Sequence, residues 1–264
     1  MMFRVIRVLA AALLSATLAS AQVANHPPTC PNLRKASPHP TASQILAAQE
    51  QAAADPNVIL SPEPVGNIGL LRYALRDYAD CTGDAGCYWT DLDAQTQRAL
   101  NALESGVREA RRGAKLALVL DIDETSLSSY CESIAEDFGY IPDRWEKWIV
   151  SNEAAIPIPG TVRLVKRAQA LGVTVFFITG RPEAQRAATE ANLTAAGYAA
   201  WHHLSLRQAG AYPSTTAYKA AERAKIQADG YTLLLNMGDQ WSDLQGQPMA
   251  QHSVKLPNPF YYLP

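Results

Sequence analysis

The sequence predicts an α/β fold in which a doubly wound parallel sheet is covered by helices. Three short apolar runs rich in β-forming residues predict buried strands, at 116–120, 173–178 and 231–235. Amphipathic helical patterns alternate with these runs, at 160–171, 183–196 and 215–229. Strands that alternate with helices are typical of a parallel sheet, which holds its functional residues at the carboxyl ends of its strands.

Weaker patterns complete the predicted organisation. Candidate further strands lie at 203–206 and 253–256. Helical patterns precede the sheet, at 44–54, 67–80 and 89–111. These helices carry no obvious chemistry and are expected to pack beside the main domain. The expected divisions are a Pro- and Ser-rich arm with one helix over 22–66, a helical segment over 67–114 and the main domain over 115–264.

The first 21 residues have the three parts of a secretory signal peptide. Arg4 and Arg7 precede an apolar stretch at 8–18, and the small residues at 19–21 offer a cleavage site before Gln22. The apolar stretch is too short to span a bilayer comfortably, and no other stretch is apolar enough to do so. We therefore expect export to the periplasm or the medium, without a membrane in the mature form. A retained membrane anchor is the alternative.

The charge of the chain argues against a nucleic-acid partner. The 264 residues have a formal net charge of −2, and removal of the predicted leader takes away two arginines and makes the charge more negative. A nucleic-acid-binding protein would normally be basic. The sequence contains no feature that defines an oligomeric state.

Four cysteines suit disulfide bonding in an oxidising compartment. Cys81 and Cys87 bracket a short turn that contains two glycines, which favours that pair and leaves Cys30 with Cys131. Free buried thiols are the alternative. The spacing does not indicate zinc, because the sequence contains no CxxC pair.

Acidic residues follow the first and third predicted strands. Asp121 and Asp123 follow the first strand, and carboxylates this close repel each other unless a cation or a shared proton relieves them. Mg²⁺ is such a cation, because it prefers oxygen ligands. Asp239 and Asp243 follow the third strand, and one turn of helix would place both on the same side.

Groups that suit a phosphoryl ligand follow the second strand and lie in the helix before the third. Thr179, Gly180 and Arg181 would offer a hydroxyl and free backbone N–H groups at a helix start. Lys219 would supply the positive charge that a transferring phosphoryl group needs. Each group taken singly has an ordinary structural explanation, but four motifs in this order are hard to explain by coincidence. Arg181 and Arg223 could each contact phosphate or form an ion pair.

The four motifs resemble those of the haloacid dehalogenase (HAD) superfamily: DIDET, TGR, the lysine and GDQWSD. The segments FFITGRPEAQR, AAGYAAWHHLSLR, YKAAERAKI and VKLPNPFYYLP narrow the resemblance to one branch. That branch holds secreted acid phosphatases related to plant acid phosphatases and vegetative storage proteins, and to bacterial class C acid phosphatases such as lipoprotein e. The resemblance covers roughly residues 67–264. It implies a Rossmann-like HAD core with a small, mainly helical cap inserted at about 126–158.

The resemblance also implies a role for each motif residue. Asp121 would be the nucleophile that forms an aspartyl-phosphate, and Asp123 would be the general acid and base. Asp121, the main-chain carbonyl of Asp123 and Asp239 would bind Mg²⁺, and Asp243 would support that site. The groups that would bind the substrate phosphate are Thr179, Gly180, Arg181 and Lys219.

The expected function is that of an exported, Mg²⁺-dependent acid phosphatase acting on small-molecule phosphomonoesters, possible substrates including nucleotides. A 5′-nucleotidase is the narrower alternative. A storage or ligand-binding protein on the same fold is opposed by the intact Asp121 and Asp123 pair, and a phospho-acceptor signalling domain fits poorly with export.

Aromatic residues of the inserted segment would stack on a nucleobase or aryl group, or simply pack the cap against the core. They are Tyr130, Phe138, Tyr140, Trp145 and Trp148.

Overall fold

The structure, a computed structural model, describes residues 26–30, 40–62, 65–84 and 86–263. The predicted signal peptide lies outside these residues, as do parts of the predicted arm. Within the described ranges, no helix is both long enough and apolar enough to cross a membrane.

A five-stranded, all-parallel sheet forms the centre of the protein, in the order β3-β2-β1-β4-β5. Its strands are β1 (Lys115–Leu120), β2 (Thr174–Pro182), β3 (His203–Arg207), β4 (Tyr231–Gly238) and β5 (His252–Lys255). After β1, the chain adds β2 and β3 on one side of it and then β4 and β5 on the other. The topological switch point therefore lies between β1 and β4. The predicted α/β class is confirmed, and both weak patterns form strands.

The helices lie close to their predicted positions. In chain order they are α1 (Ala42–Ala53), α2 (Ile68–Asp80), α3 (Tyr88–Glu109), α4 (Tyr130–Ala135), α5 (Pro142–Ile149), α6 (Pro159–Ala170), α7 (Arg186–Ala195), α8 (Thr215–Ala228) and α9 (Trp241–Leu244). The largest difference is at α7, which begins after the predicted 183 because 183–185 form a 3₁₀ turn. Pro159 at the start of α6 fits this position, since the first helical N–H has no partner within a helix.

Of the N-terminal helices, α3 contributes most to the main core, whereas α1 buries no residue. Helix α3 packs against α6, β4 and β5 and buries one face that includes Tyr88, Leu92 and Leu103. Gly106 approaches the sheet so closely that a Cβ there would lie 2.4 Å from Leu234 Cδ1. The sheet therefore needs α3 as one of its covering layers.

The segment at 126–158 contains the two short helices α4 and α5 and a 3₁₀ turn at Asn152–Ala154. Trp148 and Ile149 form a small buried cluster with Ala154. The Tyr130 hydroxyl donates a hydrogen bond of 2.6 Å to Asp80 Oδ1 at the end of α2. Trp148 therefore packs within the segment, and Tyr130 joins the segment to α2.

All four cysteines are paired in the structure. Cys30 is joined to Cys131, which ties 26–30 to α4, and Cys81 is joined to Cys87 in the loop between α2 and α3. These are the pairs that the sequence favours.

We expect the two bridges to stabilise the fold to different extents. Linking residues 101 apart removes more conformational entropy from the unfolded chain than linking residues 6 apart. The loop-entropy relation gives about 5 kcal/mol for the first bridge and about 2 kcal/mol for the second. Chemical denaturation of Cys30→Ala/Cys131→Ala and Cys81→Ala/Cys87→Ala proteins measures both losses in the free energy of unfolding. An equal or larger loss in the second double variant would contradict this ranking.

Candidate active site

A buried lysine lies between two carboxylates at the carboxyl edge of the sheet. Asp121 directly follows β1, and its backbone N–H donates a 3.1 Å hydrogen bond to the carbonyl oxygen of Met237 in β4. Lys219 of α8 donates from Nζ to Asp121 Oδ1 at 2.5 Å. The same ammonium contacts the carboxylate of Asp243.

Three buried carboxylates meet beside this lysine. Oxygen atoms of Asp121, Asp239 and Asp243 all lie within 4.8 Å of one another. The single turn of α9 brings Asp243 back toward the end of β4, where its Oδ2 accepts a 2.7 Å hydrogen bond from the Gln240 backbone N–H. Gly238 permits this approach, because a Cβ there would come within 2.3 Å of the Asp243 side chain.

The carboxylate cluster is electrostatically crowded. Burial, followed by the charge of Asp243, raises the pKa of Asp121 well above its ordinary value, although Lys219 opposes the shift. The same two causes raise the pKa of Asp239, against the hydrogen bonds it accepts from Asn258 and Gln240. Burial would lower the pKa of Lys219, but Asp121 and Asp243 outweigh that effect and raise it. One ammonium thus faces three carboxylates, an arrangement that favours binding of a further cation.

Asp123 forms an ion pair with Arg181 at the edge of the site. Arg181 donates from Nη2 to Asp123 Oδ1 at 2.6 Å and from Nε to Oδ2 at 3.1 Å. The arginine side chain is buried, whereas that of Asp123 is 21% exposed. The carboxylate of Asp123 is therefore held by the arginine while part of it still faces solvent.

The sequence left two roles open for Arg223, a contact with phosphate or an ion pair, and its contacts in the structure match neither. Its guanidinium is buried and donates to four backbone carbonyl oxygens in the segment that follows Asp239. Those carbonyls belong to Asp243, Gln245, Gly246 and Pro248. Arg223 thus fixes the course of the chain around α9.

The expected helix start at Thr179, Gly180 and Arg181 is wrong. Strand β2 continues through these residues to Pro182, and α7 begins only at Arg186. Proline disfavours the helical conformation of the preceding residue, which keeps Arg181 extended. Thr179 is buried, and its Oγ1 accepts a 3.1 Å hydrogen bond from the Arg181 backbone N–H. A hydroxyl that accepts in this way retains its own proton for donation to a ligand.

A cleft of about 550 Å³ opens above these groups. The predicted site residues that line it are Asp121, Asp123, Gly180, Arg181, Lys219 and Asp243. Thr179 and Asp239 lie buried beside it. Of the aromatic residues in the inserted segment, Phe138, Tyr140 and Trp145 also line it. The structure therefore brings the four motifs together at one cleft, with the chain's last described residues, 260–263, as a further wall.

Several residues at the site carried no signal that singled them out in the sequence. Glu124 is fully buried and has a positive φ of 54°. Its Oε1 accepts hydrogen bonds from the Ser129 N–H and Oγ at 2.5 and 2.7 Å, and its Oε2 accepts one from the Tyr261 hydroxyl at 2.8 Å. Burial, with the charges of Asp239 and Asp123, raises the pKa of Glu124 to about 8. The available clue to Tyr261 was that it follows β5, because residues that follow a strand of a parallel sheet often belong to the functional site.

Comparisons with known proteins agree with the resemblance in the motifs. The chain is 38% identical over 149 residues to Acid phosphatase 1 of Solanum lycopersicum, a match that covers 55% of this chain and 58% of the relative. It is 32% identical over 149 residues to Vegetative storage protein 1 of Arabidopsis thaliana, with 55% of each protein covered. The chain thus spans somewhat more than half the length of these relatives.

A solved structure has the same fold. The class C acid phosphatase from Bacillus anthracis superposes with a TM-score of 0.53 at 24% sequence identity, over 65% of this chain and 79% of that protein. A sequence profile of the HAD superfamily, subfamily IIIB (Acid phosphatase), matches residues 70–264, which include all four motifs. The chain therefore belongs to subfamily IIIB of the HAD superfamily, the acid phosphatase subfamily.

Proposed function

We propose that the protein is an exported acid phosphatase that hydrolyses small-molecule phosphomonoesters with Mg²⁺ as its cofactor. The observation that carries the proposal is the meeting of Asp121, Lys219 and two further buried carboxylates at the floor of one cleft. Membership of the acid phosphatase subfamily supports the same activity. The two disulfides support export, because disulfides persist mainly in oxidising compartments.

The carboxylate cluster fits a divalent cation. Asp121, Asp239 and Asp243 offer hard oxygen ligands within 4.8 Å of one another, and their mutual repulsion favours a cation between them. Asp121 and Asp239 would bind the metal together with the main-chain carbonyl of Asp123, and Asp243 would support them. When bound, Mg²⁺ supplies positive charge that offsets the charge of the phosphoryl oxygens and of the aspartates.

Asp121 is proposed to attack the phosphorus atom of the substrate. Its carboxylate oxygen forms a bond to phosphorus as the bond from phosphorus to the ester oxygen breaks, which leaves an aspartyl-phosphate and releases the alcohol. Lys219 lies against Asp121 and can balance negative charge on the transferring group. The Thr179 hydroxyl and the chain at Gly180 and Arg181 are proposed to hold the phosphoryl oxygens.

Asp123 is proposed to transfer the protons. It gives a proton to the departing ester oxygen, and then accepts one from the water that attacks the aspartyl-phosphate and releases phosphate. Its position supports this role, because it lines the cleft two residues after the proposed nucleophile and remains partly exposed. Arg181 would keep its carboxylate directed at the cleft through the three hydrogen bonds between them.

The cleft also favours aromatic substrates, which keeps the narrower 5′-nucleotidase activity as a second candidate. Tyr140 and Trp145 line the same cleft, with ring centroids 6.2 Å apart, and Tyr140 is exposed. An aryl group or a nucleobase could pack on such rings. A weakly active storage or ligand-binding protein is the further candidate that the vegetative storage relatives raise, and the Asp121 and Asp123 pair opposes it.

We expect phosphomonoester hydrolysis to depend on the metal. Exhaustive chelation should remove turnover. Without the positive charge of the metal, the crowded carboxylates would repel the phosphate dianion of the substrate. Added Mg²⁺ should restore turnover. The measurement is a panel of aryl phosphates and nucleoside 5′-monophosphates, each tested with and without Mg²⁺. A marked preference for nucleotides would select the 5′-nucleotidase, and no hydrolysis of any ester would favour the storage protein. Full activity after chelation would exclude the metal from the reaction.

A further inference from the structure

We infer that Asn258 is a positioning residue for Asp239, and that the C-terminal segment 258–263 is thereby part of the metal site. The inference rests on the proposed function, in which Asp239 is a metal ligand. It assigns a role in the metal site to a residue that lies 19 positions after Asp239 and outside the four motifs.

Both ends of the Asn258 amide are engaged. Its Nδ2 donates a 2.8 Å hydrogen bond to Asp239 Oδ2. Its Oδ1 accepts hydrogen bonds from the backbone N–H groups of Phe260 and Tyr261, at 2.8 and 3.4 Å. The same side chain therefore holds the turn that starts the C-terminal segment and contacts the proposed ligand. The orientation of the amide follows from these partners, since a flipped amide would place its oxygen against a carboxylate.

The carboxylate of Asp239 is held by three side-chain donors. Oδ2 accepts from Asn258 Nδ2 and from Gln240 Nε2, both at 2.8 Å. Oδ1 accepts from Thr125 Oγ1 at 3.0 Å. Such partners fix the direction of a metal-ligating carboxylate, and their loss typically weakens metal affinity by 10–100-fold. Asn258 is the member of this set that comes from the C-terminal segment.

The C-terminal segment is tied to the site by further contacts, which keep Asn258 in place. Gln240 donates from Nε2 to the Tyr261 carbonyl oxygen at 3.4 Å, and its Oε1 accepts from the Leu263 N–H at 3.2 Å. Phe260 stacks on Phe138 of the inserted segment with ring centroids 6.0 Å apart. The segment therefore contacts both the metal site and the inserted segment that lines the cleft.

Two substitutions separate positioning of Asp239 from support of the turn. Asn258→Asp keeps an oxygen that can accept from Phe260 and Tyr261, but it replaces the donor to Asp239 with a carboxylate oxygen. Asn258→Ala removes the donor and the acceptor without adding charge. Asn101→Asp, on the exposed face of α3, is the matched control for the added charge.

The experiment is calorimetric titration of the metal-free, full-length mature protein with Mg²⁺, together with steady-state kinetics over a range of Mg²⁺ concentrations. We expect the Mg²⁺ dissociation constant to rise about 10-fold or more in Asn258→Ala, to rise less in Asn258→Asp because its added carboxylate attracts the cation, and to stay unchanged in the control. Excess Mg²⁺ should restore most of kcat, because the loss is in metal occupancy. A purely structural role would instead lower the melting temperature and leave kcat reduced at every Mg²⁺ concentration.

The outcomes distinguish the inference from the function on which it rests. If the wild-type protein binds Mg²⁺ and the variants bind it equally well, the role of Asn258 is overturned and the proposed function stays intact. Weakened binding in Asn258→Asp with unchanged binding in Asn258→Ala would also overturn it, because the lost donor is common to both variants. Wild-type protein that hydrolyses phosphomonoesters without binding Mg²⁺ would overturn both the metal and the positioning residue.

Discussion

Asp121→Asn is expected to remove nearly all turnover while the fold remains intact. The amide has the shape of the carboxylate but lacks the anionic oxygen that attacks phosphorus in the proposed reaction. Because no neighbouring group can replace a nucleophile that forms the covalent intermediate, kcat should fall by at least about 10³-fold. No phosphoenzyme should be recovered when the variant is mixed with substrate and quenched rapidly in acid.

The Asp121→Asn substitution should change the free energy of unfolding only a little, because of the contacts that Lys219 keeps. Removing one partner of a buried ion pair typically costs about 3–5 kcal/mol when the other partner is left without a counter-charge. Here Lys219 keeps its contact with Asp243, and repulsion among the three carboxylates is relieved. We therefore expect the free energy of unfolding to fall by less than that range, which chemical denaturation of both proteins will measure.

Asp229→Asn is a suitable control, because Asp229 is exposed after the end of α8 and does not line the cleft. It should have wild-type kinetics and stability. Turnover near the wild-type rate in Asp121→Asn would mean that water attacks phosphorus directly, and the assignment of the nucleophile would be wrong. Loss of activity together with unfolding would assign Asp121 a structural role instead.

The sheet was predictable because its central strands have a simple composition. Strands β1 and β4 are covered on both faces, so most of their residues are buried and each strand contains an uninterrupted apolar run, at 116–120 and 233–235. The end of β2 was not predictable in the same way. The residues at 179–182 are polar or conformationally special, yet pairing with β3 up to Arg207 continues the strand through them.

The candidate site could be located from the sequence, but its contacts could not. The rule that parallel sheets place functional residues at strand ends directed attention to Asp121, Thr179 and Asp239, which the structure places in or beside one cleft. The partner of Asp123 is Arg181, 58 residues away, and one partner of Asp239 is Asn258, which follows the short edge strand β5. Such pairs depend on how far each strand extends and on how the chain turns after it, which local composition does not encode.

Asp123→Asn is expected to slow the release of poor leaving groups far more than that of good ones. Asparagine keeps an oxygen that can accept from Arg181, so the buried guanidinium retains a partner that alanine would remove. What it loses is the carboxyl group that can give up and take back a proton. The alkoxide released from a nucleoside 5′-phosphate needs that proton, whereas nitrophenolate leaves well without it. General acid catalysis is worth typically 10²–10⁴-fold, so enzyme phosphorylation by the nucleotide should slow by about that factor.

The second half of the reaction should respond equally to both substrates, because hydrolysis of the aspartyl-phosphate starts from the same intermediate. Asp123→Asn should therefore release a rapid burst of nitrophenol, followed by slow turnover while phosphoenzyme accumulates. With the nucleotide there should be no burst, since phosphorylation itself has become slow. Rapid mixing with each ester, with Asp229→Asn as the control, measures both phases. If the two substrates lost the same factor in the first phase, the proton would have to reach the leaving oxygen from a group other than Asp123.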